Sequence, residues 1–245
     1  ALASYGTLHG MVYPLVFFPS AVLSAASGLL VPEFAEFHAR GDRERIRTTA
    51  AKVMRLSLLF SIGVAGIFIS FAYQIGTSLY PGTDAPALLA RIAPLIPVMY
   101  MDSAVDSMLK GLGEQLYCMR VNIIDSLCCL ILVVLLIPRF GLGGYFLVQY
   151  LCELLNATLS IGRLIEVTDL RPQVGEWVFY PLLSVIGATS AVRFLSAIPA
   201  VPLIGAGGSP AARIAAAILL YCLFVLTPMG IGKRNRRARR TSVPA

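Results

Sequence analysis

The sequence predicts an all-α, polytopic integral membrane protein with about seven transmembrane helices. Of its 245 residues, 57% are hydrophobic and 13% are charged, whereas soluble domains carry about 25% charged residues. Uncharged runs recur at 10–31, 56–80 and 214–232, and a membrane-spanning helix needs about 20 predominantly apolar residues. These observations exclude an ordinary soluble domain.

Seven spans follow one another along the chain, each bounded by charged or loop-forming residues. Their predicted ranges are 7–32, 53–79, 87–109, 116–137, 141–162, 177–198 and 211–231. Hydropathy is weaker in the third, fourth and fifth spans, which carry most of the charged residues of the membrane region. Prolines interrupt the first span at Pro14 and Pro19 and the third at Pro94 and Pro97. Interior proline kinks a helix, and kinked spans favour a transporter over a static bundle.

The distribution of lysine and arginine predicts the orientation in the membrane. The connection at 33–55 carries six basic residues, and the connection at 74–87 carries none. By the positive-inside rule the first connection is cytoplasmic and the second is external. Alternation then places the N-terminus outside and the C-terminus, with the basic cluster at 233–240, in the cytoplasm. Four arginines depart from this pattern, at positions 91, 139, 193 and 213.

The cytoplasmic connection has a pattern of its own. Phe34, Phe37 and His38 are interspersed with charged residues before Ile46. This pattern predicts a short amphipathic helix at the membrane interface, and a solvated charged loop is the alternative.

The net charge of +7 does not indicate a nucleic-acid partner, because the basic residues lie at the ends of apolar runs. The five cysteines lie in apolar segments without metal-ligand spacing, and His9 and His38 are far apart. No nucleophile motif or phosphate-binding loop is present, and the external connections at 80–86 and 199–210 offer only Asp84 as an acid. We therefore expect neither an enzyme nor a bound cofactor.

Polar side chains follow helical periodicity inside three successive spans. In the third span, Asp102, Asp106 and Lys110 lie on one face at steps of four residues. The fifth span has a stripe at steps of four, three, four and three residues: Gln149, Glu153, Asn156, Ser160 and Arg163. The fourth span contributes Arg120, Asn122 and Asp125. An ionised side chain at the bilayer centre costs about 2.5–3.5 kcal/mol, so these stripes predict the interior of the bundle.

Two interpretations of the stripes remain open. The side chains can line a transport pathway, for which the candidates are Asp102, Asp106, Lys110, Arg120, Gln149, Glu153 and Asn156. Alternatively they pair with one another, Asp106 with Lys110, and Arg120 with Asp125 or Asp106. Asn122 and Asp125 are also candidates for a coupling site for Na⁺ or H⁺, with hydroxyl oxygens such as that of Thr158 nearby, because hard cations prefer oxygen ligands. No other metal is expected.

Several segments resemble a known family. SYGTLHGMVYPLVFFPSAVLSAASGLLVPEFAE resembles the start of the C-terminal half of the stage V sporulation protein B-like family, the polysaccharide and lipid-linked oligosaccharide exporters of the MOP superfamily. APLIPVMYMDSAVDSMLKGLGEQLYCMRVNIIDS, PRFGLGGYF and CELLNATLSIGRLIEVTDL resemble the family's next segments in the same order. The resemblance covers residues 4–170, and beyond it only hydropathy matches.

This resemblance implies an architecture. Family members have about fourteen spans, in two six-helix lobes and a terminal pair, so the seven spans correspond to the eighth to fourteenth. Residues 1–170 then form a second lobe that is incomplete at its N-terminus, 171–232 the terminal helix pair, and 233–245 a basic cytoplasmic tail. The first lobe is an expected partner, and without it we expect no independent activity.

The resemblance also implies a function. Family members move polyprenyl-pyrophosphate-linked sugars across the bacterial cytoplasmic membrane by alternating access. These substrates are precursors of peptidoglycan or of other polysaccharides, and lipid II is one candidate. The expected partners are the lipid-linked oligosaccharide and membrane lipids. The alternatives are a cation-coupled multidrug exporter of the same superfamily and a non-transporting sporulation membrane protein.

Overall fold

The computed structural model describes residues 2–171, 175–196 and 209–241, and every regular element in these ranges is helical. The predicted all-α class is therefore confirmed. The helices are α1 (Leu2–Thr7), α2 (Tyr13–Ala39), α3 (Arg43–Leu79), α4 (Ala85–Ile92), α5 (Ile96–Gly111), α6 (Gln115–Phe140), α7 (Leu142–Thr168), α8 (Tyr180–Ser196) and α9 (Pro210–Thr241). A π-helical turn joins α1 to α2 (Leu8–Val12), a 3₁₀ turn joins α4 to α5 (Ala93–Leu95), and a second π-helical turn precedes α8 (Gly175–Phe179).

The helices confirm a polytopic membrane protein. Five described segments are long and apolar enough to cross a membrane, and they are Leu2–Ala39, Arg43–Leu79, Ala85–Gly111, Gln115–Phe140 and Gly175–Ser196. Helix α7 corresponds to the predicted fifth span and has 27 residues, but its polar stripe lowers its hydropathy. The apolar part of α9, Pro210–Val225, is shorter than the predicted seventh span. The external connection predicted at 199–210 lies mostly outside the described residues.

The connection predicted at 33–55 differs from both expected forms. Helix α2 continues to Ala39 and α3 begins at Arg43, so a tight turn replaces both the interfacial helix and the long loop. Gly41 has a φ of 67°, which favours glycine, and the Asp42 carboxylate accepts a hydrogen bond from the backbone N–H of Arg45 at 3.1 Å. Ion pairs between residues three or four positions apart also occur on both helix ends. The charged residues of this region extend the two helices because such pairs and caps favour helix.

Breaks in the helices follow the prolines only in part. The predicted kink in the third span is the 3₁₀ turn that contains Pro94, with Pro97 in the first turn of α5. Helix α3 has no proline, yet it has a non-helical residue at Phe71 (φ −117°, ψ 16°). The Arg193 guanidinium, from α8, donates a hydrogen bond to the carbonyl oxygen of Ser70 at 2.9 Å. Irregular backbone in a membrane helix persists where another group satisfies its polar atoms, and Arg193 does so here.

Helix α5 lies at the centre of the bundle, where it contacts α2, α3 and α7. Ile96, Tyr100 and Met108 are almost fully buried on this helix, and the Tyr100 hydroxyl donates a hydrogen bond to the carbonyl oxygen of Val16 on α2. Helices α2 and α5 also approach each other closely at the end of α5. A Cβ atom added to Gly111 there would lie 2.6 Å from a carbonyl oxygen of α2. The central position of α5 brings its polar stripe next to α7.

Candidate functional site

Helix α7 carries an uninterrupted row of polar side chains on one face. The row comprises Tyr145, Gln149, Glu153, Asn156, Ser160 and Arg163. Side chains three or four residues apart share a helix face, and the 18 steps from Tyr145 to Arg163 rise about 27 Å at 1.5 Å per residue. The hydrocarbon core of a bilayer is about 30 Å thick. The row, called here the α7 row, is therefore about as long as a membrane is thick.

The middle of the α7 row joins the polar stripe of α5. The Gln149 amide donates a hydrogen bond to the Glu153 carboxylate at 3.1 Å. One turn further, the Asn156 amide donates to the Asp102 carboxylate of α5 at 3.2 Å. The Ser160 hydroxyl, which is buried, donates to the side-chain oxygen of Asn156 at 3.2 Å. The structure thus brings together the predicted stripes of the third and fifth spans.

Three carboxyl groups from three helices lie in this region. Asp102 of α5, Asp125 of α6 and Glu153 of α7 are close enough to interact electrostatically. One oxygen of Asp125 is buried and accepts no hydrogen bond within the described structure. Like charges in a desolvated setting repel strongly, so a bound proton or cation relieves the repulsion. Across the described residues, no three histidine, cysteine or acidic side chains are arranged to hold a metal ion.

One of the two predicted pairings is present. The Lys110 ammonium lies 2.9 Å from the Asp106 carboxylate. Arg120 forms no ion pair with Asp106 or Asp125 in the part of the chain that the structure describes. Positions 120 and 125 lie about 140° apart around α6, at 3.6 residues per turn. Arg120 consequently lies on a different face of α6 from Asp125, and its side chain is exposed.

The predicted coupling residues Asn122 and Asp125 both lie on α6, three residues apart. Asn122 is exposed and lines a groove of about 650 Å³ that runs along α6. Lys110 of α5 lines the same groove. Asp125 is half-buried on the same helix. The Thr158 hydroxyl donates to a backbone carbonyl of its own helix at 2.6 Å and is exposed, so it does not enter this site.

At one end of the α7 row, an ion-pair network surrounds Arg163. Its guanidinium donates two hydrogen bonds to Glu114, at 2.8 and 3.2 Å, and one to Glu166 at 2.9 Å. It also lies 5.3 Å from the centre of the Tyr117 ring. The sequence prediction missed Glu114, although Glu114 follows Lys110 by four residues and so continues the stripe of α5 by its spacing.

At the other end, Tyr145 joins a cluster of ring side chains in and beside the first π-helical turn. The Tyr145 hydroxyl is 3.2 Å from the imidazole Nε2 of His9 and 3.2 Å from the Tyr13 hydroxyl. The Nδ1 of His9 donates to the carbonyl oxygen of Tyr5 at 3.2 Å. The sequence prediction missed this cluster as well, although Tyr145 precedes Gln149 by four residues. Short π-helical segments frequently lie at functional sites.

The fold and the α7 row define a polytopic, helical membrane protein of transporter-like kind, in which polar side chains run through an apolar bundle. The chain is similar to stage V sporulation protein B of Bacillus subtilis (strain 168), with 24% identity over 231 residues. The alignment covers 92% of this chain and 44% of that protein. The chain thus spans less than half the length of this relative, as a C-terminal half of it would. The family resemblance predicted from the sequence is confirmed as distant homology.

No family model matches the chain, and no solved structure matches it.

Proposed function

We propose that this chain is the C-terminal part of a flippase that moves polyprenyl-pyrophosphate-linked sugars, such as cell-wall precursors, to the outer leaflet of a bacterial cytoplasmic membrane. The α7 row is the observation that carries this proposal. Polar and ionisable groups inside a membrane are costly and normally face a partner or a water-filled path. A static bundle of apolar helices needs no row of this length, whereas a carrier of a polar headgroup does.

The groove along α6 supports a lipid-linked substrate. Lys110 lies at one end of this groove, and apolar side chains, including those of Ile123, Leu127 and Leu130, follow along its length. Leu127 and Leu130 are exposed to the surroundings of the bundle. An apolar groove with a cation at its end fits a hydrocarbon chain attached to an anionic group, because ammonium and guanidinium groups bind phosphate oxygens strongly.

The two cationic groups beside the site are held by carboxylates. Lys110 pairs with Asp106, and Arg163 pairs with Glu114 and Glu166. A pyrophosphate can compete with a carboxylate for either cation, and the released carboxylate then favours return to the paired state. In this exchange the paired state is the closed form of the cytoplasmic end, and the state with pyrophosphate bound is the open form. Alternating access requires both forms.

The proposed function also implies partners and an orientation in the membrane. The first lobe of the full-length protein and membrane lipids are its partners, nucleic acid is not, and the transport step needs no enzymatic chemistry. The C-terminus is cytoplasmic, and Na⁺ or H⁺ drives the cycle.

The test is export of lipid-linked precursor in a flippase-depleted bacterial strain that expresses the full-length protein. We expect the wild type to restore export and Lys110→Gln to reduce it about tenfold or more, since a hydrogen bond to a charged group contributes about 1.5–3 kcal/mol. Lys52→Gln is the matched control, because Lys52 is exposed on α3 and outside the groove. Failure of the wild type to restore export at normal membrane level, or equal export by Lys110→Gln, would contradict the proposal.

A further inference from the structure

A cavity of about 590 Å³ lies at the end of the bundle that the charge pattern assigns to the outside. It is lined by side chains of α3, α4, α8 and the turn before α4, and it is called here the outer cavity. Its walls carry one cation, Arg193, and one carboxylate, Asp84. We propose that the outer cavity binds a zwitterionic phospholipid headgroup, with the phosphate on Arg193 and the ammonium on Asp84.

Arg193 is one of the four arginines that depart from the positive-inside pattern, so topology does not explain its place. Its guanidinium donates a hydrogen bond to the carbonyl oxygen of Ser70 at 2.9 Å. A guanidinium has five N–H donors, and across residues 2–171, 175–196 and 209–241 the others form no hydrogen bond or ion pair. The bond to Ser70 therefore holds the group at the cavity wall and leaves donors for a phosphate, which guanidinium binds through two hydrogen bonds.

Gln74 adds a neutral donor to the same cavity. It follows Ser70 by four residues on α3, which places the two positions on one face of the helix. Its side-chain amide is half-buried and makes no hydrogen bond to any other described residue. An amide has two N–H donors, so α3 and α8 together offer phosphate oxygens a cation and an amide.

Asp84 supplies the opposite charge at the start of α4. Its Oδ2 accepts a hydrogen bond from the Ser4 hydroxyl at 2.8 Å, and its side chain does not cap α4. Within the described part of the chain it forms no ion pair, so a carboxylate oxygen remains for a cationic group. A purely anionic headgroup meets repulsion from Asp84, whereas phosphatidylethanolamine carries both a phosphate and an ammonium and matches both walls.

The depth of the outer cavity fits a phospholipid. Ser70 lies nine residues before Leu79, the end of α3, which is about 14 Å at 1.5 Å per residue. Half of the hydrocarbon core of a bilayer is about 15 Å thick. Tyr73 and Ile69 line the cavity and are 72% and 47% exposed. Tyrosine is typical of the membrane interface, and Ile69 lies one turn deeper, where the acyl chains of a bound lipid begin.

A bound headgroup also affects the break in α3. Arg193 holds the carbonyl oxygen of Ser70, next to the non-helical residue Phe71. A phosphate on the same guanidinium restricts that side chain and so stabilises the broken form of the helix, because a ligand stabilises the conformation that binds it. The outer cavity shares no lining residue with the groove along α6, so this inference does not depend on the proposed function.

The experiment is native mass spectrometry of the full-length protein in detergent, titrated with dioctanoyl phosphatidylethanolamine. We expect saturable binding that Arg193→Gln weakens about tenfold or more, since hydrogen bonds between charged groups are the strong ones. Ala90→Trp fills the cavity from α4 and keeps both charged residues, so it should also abolish binding. Arg139→Gln is the matched control, because it removes the same charge from an exposed position outside the cavity, and it should leave the affinity unchanged.

The choice of lipid gives a second readout. We expect the wild type to bind dioctanoyl phosphatidylethanolamine about tenfold more tightly than dioctanoyl phosphatidylglycerol, because like charges across an interface cost affinity. Asp84→Asn should remove this preference. Both Asp84→Asn and Ala90→Trp leave the bond of Arg193 to Ser70 in place, so they test the site even if Arg193→Gln disturbs folding.

Three results would overturn the proposal. The first is equal affinity of the wild type for the two lipids, and the second is binding that neither Arg193→Gln nor Ala90→Trp weakens. The third is displacement of the phospholipid by polyprenyl phosphate at equal concentration, which would give the cavity to the transported lipid. Saturation with phosphatidylethanolamine should also slow amide hydrogen exchange at Gln74 and Ile75 in the wild type and not in Ala90→Trp, and unchanged exchange would overturn the link to the break.

Discussion

Single side chains in this protein differ in how their charge is compensated. Lys110 and Arg163 each lie against a carboxylate, whereas Asp102 has an amide partner in Asn156. A neutral partner stabilises a carboxylate by one hydrogen bond without cancelling its charge. The middle of the α7 row is therefore the place where a change of one residue's charge has the largest effect.

The pair of Asp102 and Asn156 gives the first prediction. Asn156→Asp places two carboxylates at hydrogen-bonding distance, and we expect it to lower the free energy of unfolding in detergent by about 1–3 kcal/mol. The reversed pair, Asp102→Asn with Asn156→Asp, restores one amide and one carboxylate and should recover most of the loss. Equal stability of the single and the reversed double variants would show that the contact contributes nothing.

The close approach of α2 and α5 gives the second prediction. A Cβ atom on Gly111 would meet a backbone carbonyl oxygen at 2.6 Å, so Gly111→Ala should destabilise the protein by about 1–3 kcal/mol through overpacking. Gly162 on α7 has no neighbouring atom within 4 Å of an added Cβ, and Gly162→Ala should stabilise the helix by about 0.5–1 kcal/mol. Thermal unfolding of both variants in detergent measures the difference, and a neutral Gly111→Ala would contradict the packing.

Whole helices were predictable from sequence to different degrees. The stripes of α5 and α7 were predicted correctly because a period of 3.6 residues is visible in the sequence itself. The lengths of α2 and α3 were underestimated, because hydropathy ends a span where charges begin while the helix continues. The break at Phe71 has no sequence signal, and His9 meets Tyr145 across 136 positions. Such contacts depend on packing between helices and not on local pattern.

The break in α3 gives the third prediction. Arg193→Gln removes the charged donor to the Ser70 carbonyl, and we expect amide hydrogen exchange around Gln74 and Ile75 to become about fivefold faster, equivalent to about 1 kcal/mol of local opening free energy. Arg193→Lys keeps a charged donor and should show a smaller effect. Exchange that is unchanged in Arg193→Gln would mean that the break is stable without the arginine.

At the scale of the whole molecule, the remaining question is the direction of the bundle across the membrane. The tight turn around Gly41 joins two helix ends rich in basic residues, and the turn at Gly82 is nearly free of charge. The positive-inside rule assigns these two ends of the bundle to opposite sides. The overall class was predictable because composition alone determines it, whereas the assembly of the α7 row with α5 and α6 required the tertiary structure.

Cysteine labelling gives the fourth prediction. In a background without the five natural cysteines, a membrane-impermeant maleimide applied to intact cells should label Ser78→Cys and not Arg43→Cys. Both positions are exposed in the structure, so a difference in labelling reports the side of the membrane. Labelling of position 43 alone would show that the protein has the opposite orientation in the membrane.

Helix α7 contains no proline and runs unbroken from Leu142 to Thr168, unlike α2, α3 and the α4–α5 pair. A straight rod of this kind transmits displacement along its length, since bending it requires the loss of backbone hydrogen bonds. Its two ends are held by different chemistry, guanidinium and carboxylate at Arg163 and phenol and imidazole at Tyr145. We expect release of either end to change the tilt of the whole helix, so that events at the two ends of the α7 row are linked.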